Sequence, residues 1–379
     1  MKQRLLNAWS VLKLPLIAVL VGFIVGAICI LAAGSNPITA YVALFKGSLA
    51  SIPSIGETLY KVTPILLTGL AAAIGFRCGL FNIGGEGQYV MAAISTVAAA
   101  WYFQWMPHFI LVPFLLVIGI LAGGVWGGIA GILKAKMGIN EVITTIMLNW
   151  TALYLSNYLV RTVLNPSNIL GDAPSGHTVV VPEVARLGKL SSMVPAFGFS
   201  SVHTGIFIAL GVAVLMWFIL FKTTLGYEIR GVGLNYQAAE YGGISSAKNT
   251  FLAMFISGGL AGLAGSIQIL GLVYMVNQST ELPGYGFTGL SVALVGLSHP
   301  LGCIPAAILF GILDNGSRQM QLAGIPKEIT AIISAVILVF VAGALLLKYA
   351  STRYEKRKMK KNGPVQGGPV MDTAGKGVE

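Results

Sequence analysis

Charge is scarce in this chain. Asp, Glu, Lys and Arg make up 10% of its 379 residues, where a soluble domain carries about a quarter. Acids are the rarer kind, 13 against 24 bases. Cysteine is rare as well: Cys29, Cys78 and Cys303 form an odd, scattered set that offers neither a disulfide framework nor metal-ligand spacing. The four histidines, His108, His177, His203 and His299, are equally dispersed and make no metal set. No G-x-x-x-x-G-K-S/T stretch occurs, so the chain has no P-loop with which to cradle ATP. H-E-x-x-H and G-x-S-x-G are missing too, and an enzyme has almost nothing here to be built from. "GYGFTG" (284–289) matches G-x-G-x-x-G by letter, but no strand precedes it and no βαβ unit surrounds it.

What is present is apolar. Hydrophobic residues make up 55% of the chain and the mean hydropathy is +0.81. Several runs reach the roughly 20 residues that cross a ~30 Å hydrocarbon layer. Spanning segments must be helical, because an open sheet would strand its peptide groups in lipid. The expected fold is therefore all-α, a polytopic membrane helix bundle. About ten spans are predicted, at 14–33, 62–77, 84–102, 110–133, 142–161, 204–221, 251–272, 286–298, 301–314 and 329–347. The first is read as an uncleaved span, being longer than a typical signal h-region and lacking a small-x-small site. Three, at 62–77, 286–298 and 301–314, are short or interrupted by Gly and Pro.

The Lys/Arg bias sets the orientation. With ten spans and both termini in the cytoplasm, 17 of the 24 bases lie inside and 7 outside. An odd number of spans would put the Lys356–Lys361 cluster on the wrong face. The net charge of +11 thus needs no nucleic-acid partner; the basic cluster after the last span is expected to rest on anionic membrane lipid. Residues 1–348 read as a single transmembrane domain, and 349–379 as a basic, Gly/Pro-rich, disordered cytoplasmic tail. Two connections are long: 162–203 outside and 222–250 inside.

Glycine is ordered along the spans. Gly119, Gly123, Gly127 and Gly131 recur every four residues, and Gly258 and Gly262, with Ala261 and Gly265, repeat the theme. Such small-xxx-small faces let helix backbones approach closely, and packing within one chain is favoured over a dimer face. "FNIGGEGQY" (81–89) sets Asn82, Glu86 and Gln88 among three glycines, the mark of unwound backbone that a membrane tolerates only in protein or beside a cavity. Glu86 at depth would be a functional acid, since a mid-membrane carboxylate costs about 2.5–3.5 kcal/mol. At the cytoplasmic edge it would cap the helix that follows. A second broken region, 285–313, is interrupted near "SHPLG", and paired broken segments point to a transporter's midplane. In "NEVITTIMLNW" (140–150), Thr144, Thr145 and Asn149 lie near one helical face, lining a polar pathway or bonding neighbouring helices. In "RGVGLNYQAAEYGGI" (230–244), Asn235 is an N-cap, "YQAAEY" is helix-compatible and Gly242/Gly243 supply the stop. A short helix follows, with Arg230 and Gly233 in the turn before it. A hairpin between spans needs only a few residues, so this nearly thirty-residue connection reads as a docking element for a cytoplasmic partner.

This last stretch resembles the cytoplasmic loop of ABC-importer permeases of the ribose and branched-chain amino-acid class. The matching residues are Arg230, Gly233, Asn235, Ala238, Ala239, Gly243 and Ile244. "GLFNIGGEGQYVMAA" (79–93) and "GINEVITTIMLNW" (138–150) resemble the simple-sugar and purine-nucleoside branch of that class, and the likeness runs from about residue 14 to 347. The resemblance implies a permease subunit that translocates a small polar solute, a nucleoside or else a simple sugar, by alternating access. It implies a second permease (a copy or a paralogue), a cytoplasmic ABC ATPase and an extracellular substrate-binding lipoprotein. ATP and Mg²⁺ would sit on the ATPase, and this chain would bind no cofactor itself. Asn82, Glu86, Gln88 and Asn149 are the candidates for the substrate pathway. Two other classes stay open: a secondary transporter using Glu86 or Asp314, and an accessory membrane protein without a pathway.

Overall fold

A computed structural model describes residues 2–343 of the chain. The main helices are α1 (Lys2–Ala32), α2 (Pro37–Leu49), α3 (Ile52–Arg77), α4 (Gly85–Tyr102), α5 (His108–Met137) and α6 (Glu141–Thr162). They continue with α7 (Gly205–Lys222), α8 (Thr224–Leu234), α9 (Tyr236–Tyr241), α10 (Ser246–Gln268), α11 (Tyr285–Val295) and α12 (Pro300–Leu322). The last is α13 (Glu328–Gly343). Among the described residues there is no strand, only two isolated bridges, His177 with Asn277 and Lys189 with His203. Six helices, α1, α3, α5, α7, α10 and α12, are long and apolar enough to cross a membrane. The tail expected over 349–379, and the last span beyond Gly343, lie outside the described residues.

The helices differ from the expected spans where polar residues interrupt a run. In place of a short span at 62–77, α3 starts at Ile52, capped by the Ser51 hydroxyl accepting from Ser54 N (3.2 Å), and carries Pro64 in its interior. Before it lies α2, which hydropathy did not show, started by Asn36 accepting from Ile38 N (2.9 Å). Likewise 301–314 is the first part of a continuous 23-residue helix, α12. Its polar turn is absorbed by α3: Asp314 pairs with Lys61 (2.9 Å), and the Asn315 amide donates to Thr58 Oγ1 (2.9 Å). Of the three spans expected to be short or interrupted, only α11 is short. Its 11 residues rise about 16 Å, half the hydrocarbon thickness.

The core is a zipper of small residues between α5 and α10. A Cβ on Gly123 would lie 2.7 Å from Gly262 Cα, and one on Gly127 would lie 2.6 Å from Met254 O and 3.0 Å from Gly258 Cα. The two glycine ridges thus face each other inside one chain. Backbone contact replaces side-chain interdigitation, so dispersion contacts accumulate where lipid supplies no hydrophobic drive. The long connection 162–203 is packed too. Val179, Val181, Ala185 and Val202 are buried, and Thr178 N, Val181 N and Leu187 N donate to Val276 O, Tyr274 O and Leu270 O.

Candidate functional site

Two broken segments meet where α4 and α11 begin. A Cβ on Gly85 would lie 3.3 Å from Gly286 Cα, and one on Gly286 would lie 2.6 Å from Glu86 N. Two helix N-termini, each carrying about half a positive charge, therefore converge on one spot. Glu86 occupies it, with none of its surface exposed. Its carboxyl accepts from Gly284 N (3.0 Å) and Phe287 N (2.9 Å), the free amides that open α11. Glu86 thus caps a helix some 200 residues distant in sequence, rather than the one that it begins.

The other three pathway candidates hold the 79–88 elbow in place. Asn82 and Gln88 exchange reciprocal amide bonds of 3.2 Å. Asn82 also donates to Ser257 Oγ (2.8 Å) and accepts from Gly84 N (2.8 Å). Asn149 accepts from Gly87 N (2.8 Å) and donates to Ile83 O (3.0 Å). All three are buried. Of the neighbouring threonines, Thr145 bonds back to Glu141 O (2.7 Å) and Thr144 to Asn140 O (3.0 Å), on their own helix.

The stretch 230–244 is more helical than its sequence suggests. Arg230 and Gly233 lie within α8 rather than in a turn, because Thr223 caps that helix by accepting from Gly226 N (3.3 Å). The expected short helix is α9: Asn235 accepts from Ala238 N (3.0 Å), Gly243 adopts φ +81°, and Ile244 N closes the end on Ala239 O (3.0 Å). Ala239 is buried and Ala238 exposed. Tyr227, Leu234 and Tyr241 are exposed apolar groups on the same hairpin.

This hairpin touches the end of α3 directly. A Cβ on Gly233 would collide with Arg77 O and lie 2.8 Å from the Cys78 carbonyl carbon; Gly79, at φ +75°, packs back against Gly233. The guanidinium carbons of Arg230 and Arg77 lie 4.9 Å and 5.6 Å from the centre of the Phe221 ring, a cation–π arrangement. His299 packs on the same ring at 5.0 Å, and burial, then the Arg77 charge, holds its imidazole below the ordinary range. Arg77 also donates to Ser298 O (2.7 Å) and Leu297 O (3.3 Å). Those two residues form the turn after α11 at φ +51° and +55°, a left-handed conformation that costs a residue with a Cβ about 1–2 kcal/mol. The broken helix is thus held at both ends, by Glu86 at its start and Arg77 after its finish.

Two cavities flank Tyr285, the first residue of α11. One, about 480 Å³, is lined by Lys61, Asp314, Thr288, Ser291 and Thr330 among others. The other, about 370 Å³, is lined by Tyr89, Ser156, Gln268 and Asn277 among others. Neither is lined by Asn82, Glu86, Gln88 or Asn149. Sequence reading missed Tyr89, Lys61, Gln268 and Tyr285. The available signal was isolation: Gln268 is the sole amide in the run 251–272.

A helical bundle with broken helices meeting inside it, cavities with some polar lining beside them and an exposed hairpin is consistent with a membrane transport component. Residues 54–342 match the family described as branched-chain amino acid transport system, permease component, and the chain belongs to that family. It is 39% identical to the guanosine ABC transporter permease protein NupP of Bacillus subtilis, over 92% of this chain and 98% of the relative. It is 41% identical to the nucleoside ABC transporter permease protein NupB of Lactococcus lactis, over 88% and 91%. The glucose ABC transporter permease protein TsgB13 of Haloferax volcanii is 30% identical, over 89% of each chain. No solved structure matches the chain. It is a transporter subunit of the membrane, not an enzyme.

Proposed function

We propose that this chain is half of the membrane pathway of an ATP-driven importer of nucleosides. The observation that carries this is near-full-length similarity to two permeases named for guanosine and nucleosides, at 39% and 41% identity. Nucleosides are favoured over glucose because the glucose permease is the more distant, at 30%. The chain makes about ten crossings, with both termini in the cytoplasm, the short α11 supplying the one expected at 286–298. Residues 1–348 then form one permease domain and 349–379 a cytoplasmic tail on anionic lipid, with the connection 162–203 outside.

The partners are a second permease, self or paralogue, a cytoplasmic ABC ATPase that holds ATP and Mg²⁺, and an extracellular binding lipoprotein. This chain binds no cofactor of its own. The ATPase docks on the hairpin α8–α9 within 222–250, where Arg230, Gly233, Asn235, Ala238, Ala239, Gly243 and Ile244 shape the contact. Its motion passes through Gly233 and Arg230 to Arg77, then to the Leu297–Ser298 turn and so to α11. Asn82, Glu86, Gln88 and Asn149 act on the pathway by fixing the elbow and the start of α11. A ligand shifts such an equilibrium only by its differential affinity for the two states, and closure of the ATPases supplies that difference.

The test is labelled-nucleoside uptake by the complete transporter carrying Arg230→Gln, Ala238→Leu and Ala239→Leu. ATP hydrolysis is expected to persist while uptake is lost, with the permease still in the membrane; Ala238→Leu alone, at an exposed site, is expected to lower uptake in part. Unchanged transport by the triple variant would refute the coupling route, and absence of nucleoside uptake by the wild type would refute the cargo.

A further inference from the structure

The smaller cavity contains an incomplete polar group. Gln268 is 4% exposed and its Oε1 has no partner. Its Nε2 donates to the Tyr60 hydroxyl and, at 3.4 Å, to that of Tyr285. Turning the amide over would satisfy Oε1 and leave Nε2 free, so either way one end of the amide is unsatisfied. A buried, unpaired amide end costs about 1–3 kcal/mol; of the buried side-chain atoms left without a partner among the described residues, Ser200 Oγ, His203 Nε2, Asn249 Oδ1 and Gln268 Oε1, only that of Gln268 belongs to a residue lining this cavity. It lies at the end of α10, where the helix widens into a π-type turn over Ile269–Val273, a distortion frequent at functional sites.

Aromatic faces stand beside it. The rings of Tyr89 and Tyr285 are 5.4 Å apart and tilted by 36°, and both line the cavity with Gln268. At about 370 Å³ the space falls within the ~300–1,000 Å³ of small-molecule pockets. Among its described lining residues there is no lysine or arginine, and the one acid is Glu281. A phosphate or a free carboxylate would find no counter-charge there; an uncharged, planar heterocycle with N–H and C=O groups on its edge would find a stacking face, and a turn of the Gln268 side chain, which lines the space, would bring its unpaired end, covered in this structure, to that edge.

We propose that this cavity is a subsite for the base of an uncharged nucleoside, which packs against Tyr89 and Tyr285 and hydrogen-bonds through its edge to the free end of the Gln268 amide. It rests on the nucleoside reading above and adds to it where the base is recognised. Purine riboside keeps the ring and sugar but has no edge N–H to donate to Gln268 Oε1, the free end in this structure. The wild-type transporter is expected to take up guanosine about 10-fold better than purine riboside, as one hydrogen bond to a buried polar group implies. Gln268→Leu, of similar volume, is expected to reduce that ratio to near one. Independently, Asn277→Cys at the exposed cavity rim is expected to react with an impermeant maleimide, and guanosine, but not guanosine monophosphate or glucose, to slow the reaction.

Guanosine uptake with an unchanged ratio in Gln268→Leu would overturn the subsite while leaving the cargo intact, as would labelling of Asn277→Cys that saturating guanosine does not slow. No nucleoside uptake by the wild type would overturn both. If Gln268→Leu fails to reach the membrane, protection of Asn277→Cys decides alone.

Discussion

Glu86 carries a large energetic consequence for a single side chain, because it faces two helix N-termini in a site without exposed surface. Removing its carboxyl strips acceptors from Gly284 N and Phe287 N, at about 1–3 kcal/mol for each buried group left unpaired. Glu86→Ala is expected to lower membrane abundance and the melting temperature of the detergent-solubilised protein. Glu86→Gln, which keeps an acceptor oxygen, should fall between the two and retain uptake. If uptake instead vanished in Glu86→Gln at normal abundance, Glu86 would have a role in proton movement that capping does not give it. Asn82 and Asn149 act similarly, bonding Gly84 N, Gly87 N and Ile83 O, while Gln88 holds the Asn82 amide in place.

At the level of elements, the critical contact is α8 on the end of α3. A helix can bear directly on another's terminal carbonyl only where it presents no side chain there, and Gly233 meets that condition against the backbone of Arg77 and Cys78. Gly233→Val would wedge the hairpin away from α3. Uptake is expected to fall on the order of 10-fold, the size of an ordinary coupling free energy, while the ATPase still co-purifies with the permease. A variant that transported normally would show that force reaches α11 by another route. The half-length of α11 matters for the same reason: a short helix held by Glu86 at one end and Arg77 beyond the other can tilt without breaking hydrogen bonds inside itself.

Across the described molecule, helix packs on helix most extensively in the α5–α10 zipper. Gly123→Val drives a branched side chain into the backbone of Gly258 and Gly262, where overpacking ordinarily costs about 1–3 kcal/mol and backbone cannot step aside as a rotamer can. Thermal melting in detergent should show that loss. Gly211→Val, on a face of α7 with nothing within 4 Å, is the control and should change stability by less than about 0.5 kcal/mol. Equal melting of the two variants would mean that the zipper does not hold the bundle.

The sequence alone determined that the chain is helical and membrane-bound, since its apolar runs leave a backbone in lipid no other way to satisfy its amides. It also determined which faces carry the glycine ridges, and that α9 starts at Asn235 and stops at Gly243; these depend on residues within a turn or two of each other. It could not show α2, the full lengths of α3 and α12, or what Glu86 caps. In sequence Lys61 only precedes the span expected at 62–77 and Asp314 only ends the one at 301–314, as an open candidate for a transport acid, until the fold pairs them; Glu86 meets its partners across 198 and 201 residues of sequence. Tertiary structure alone decided that two helix starts converge on one acid, and that Tyr89, Gln268 and Tyr285 share a cavity. Such placements depend on long-range contacts, in which a charge or amide is assigned its role by the partner the fold brings to it.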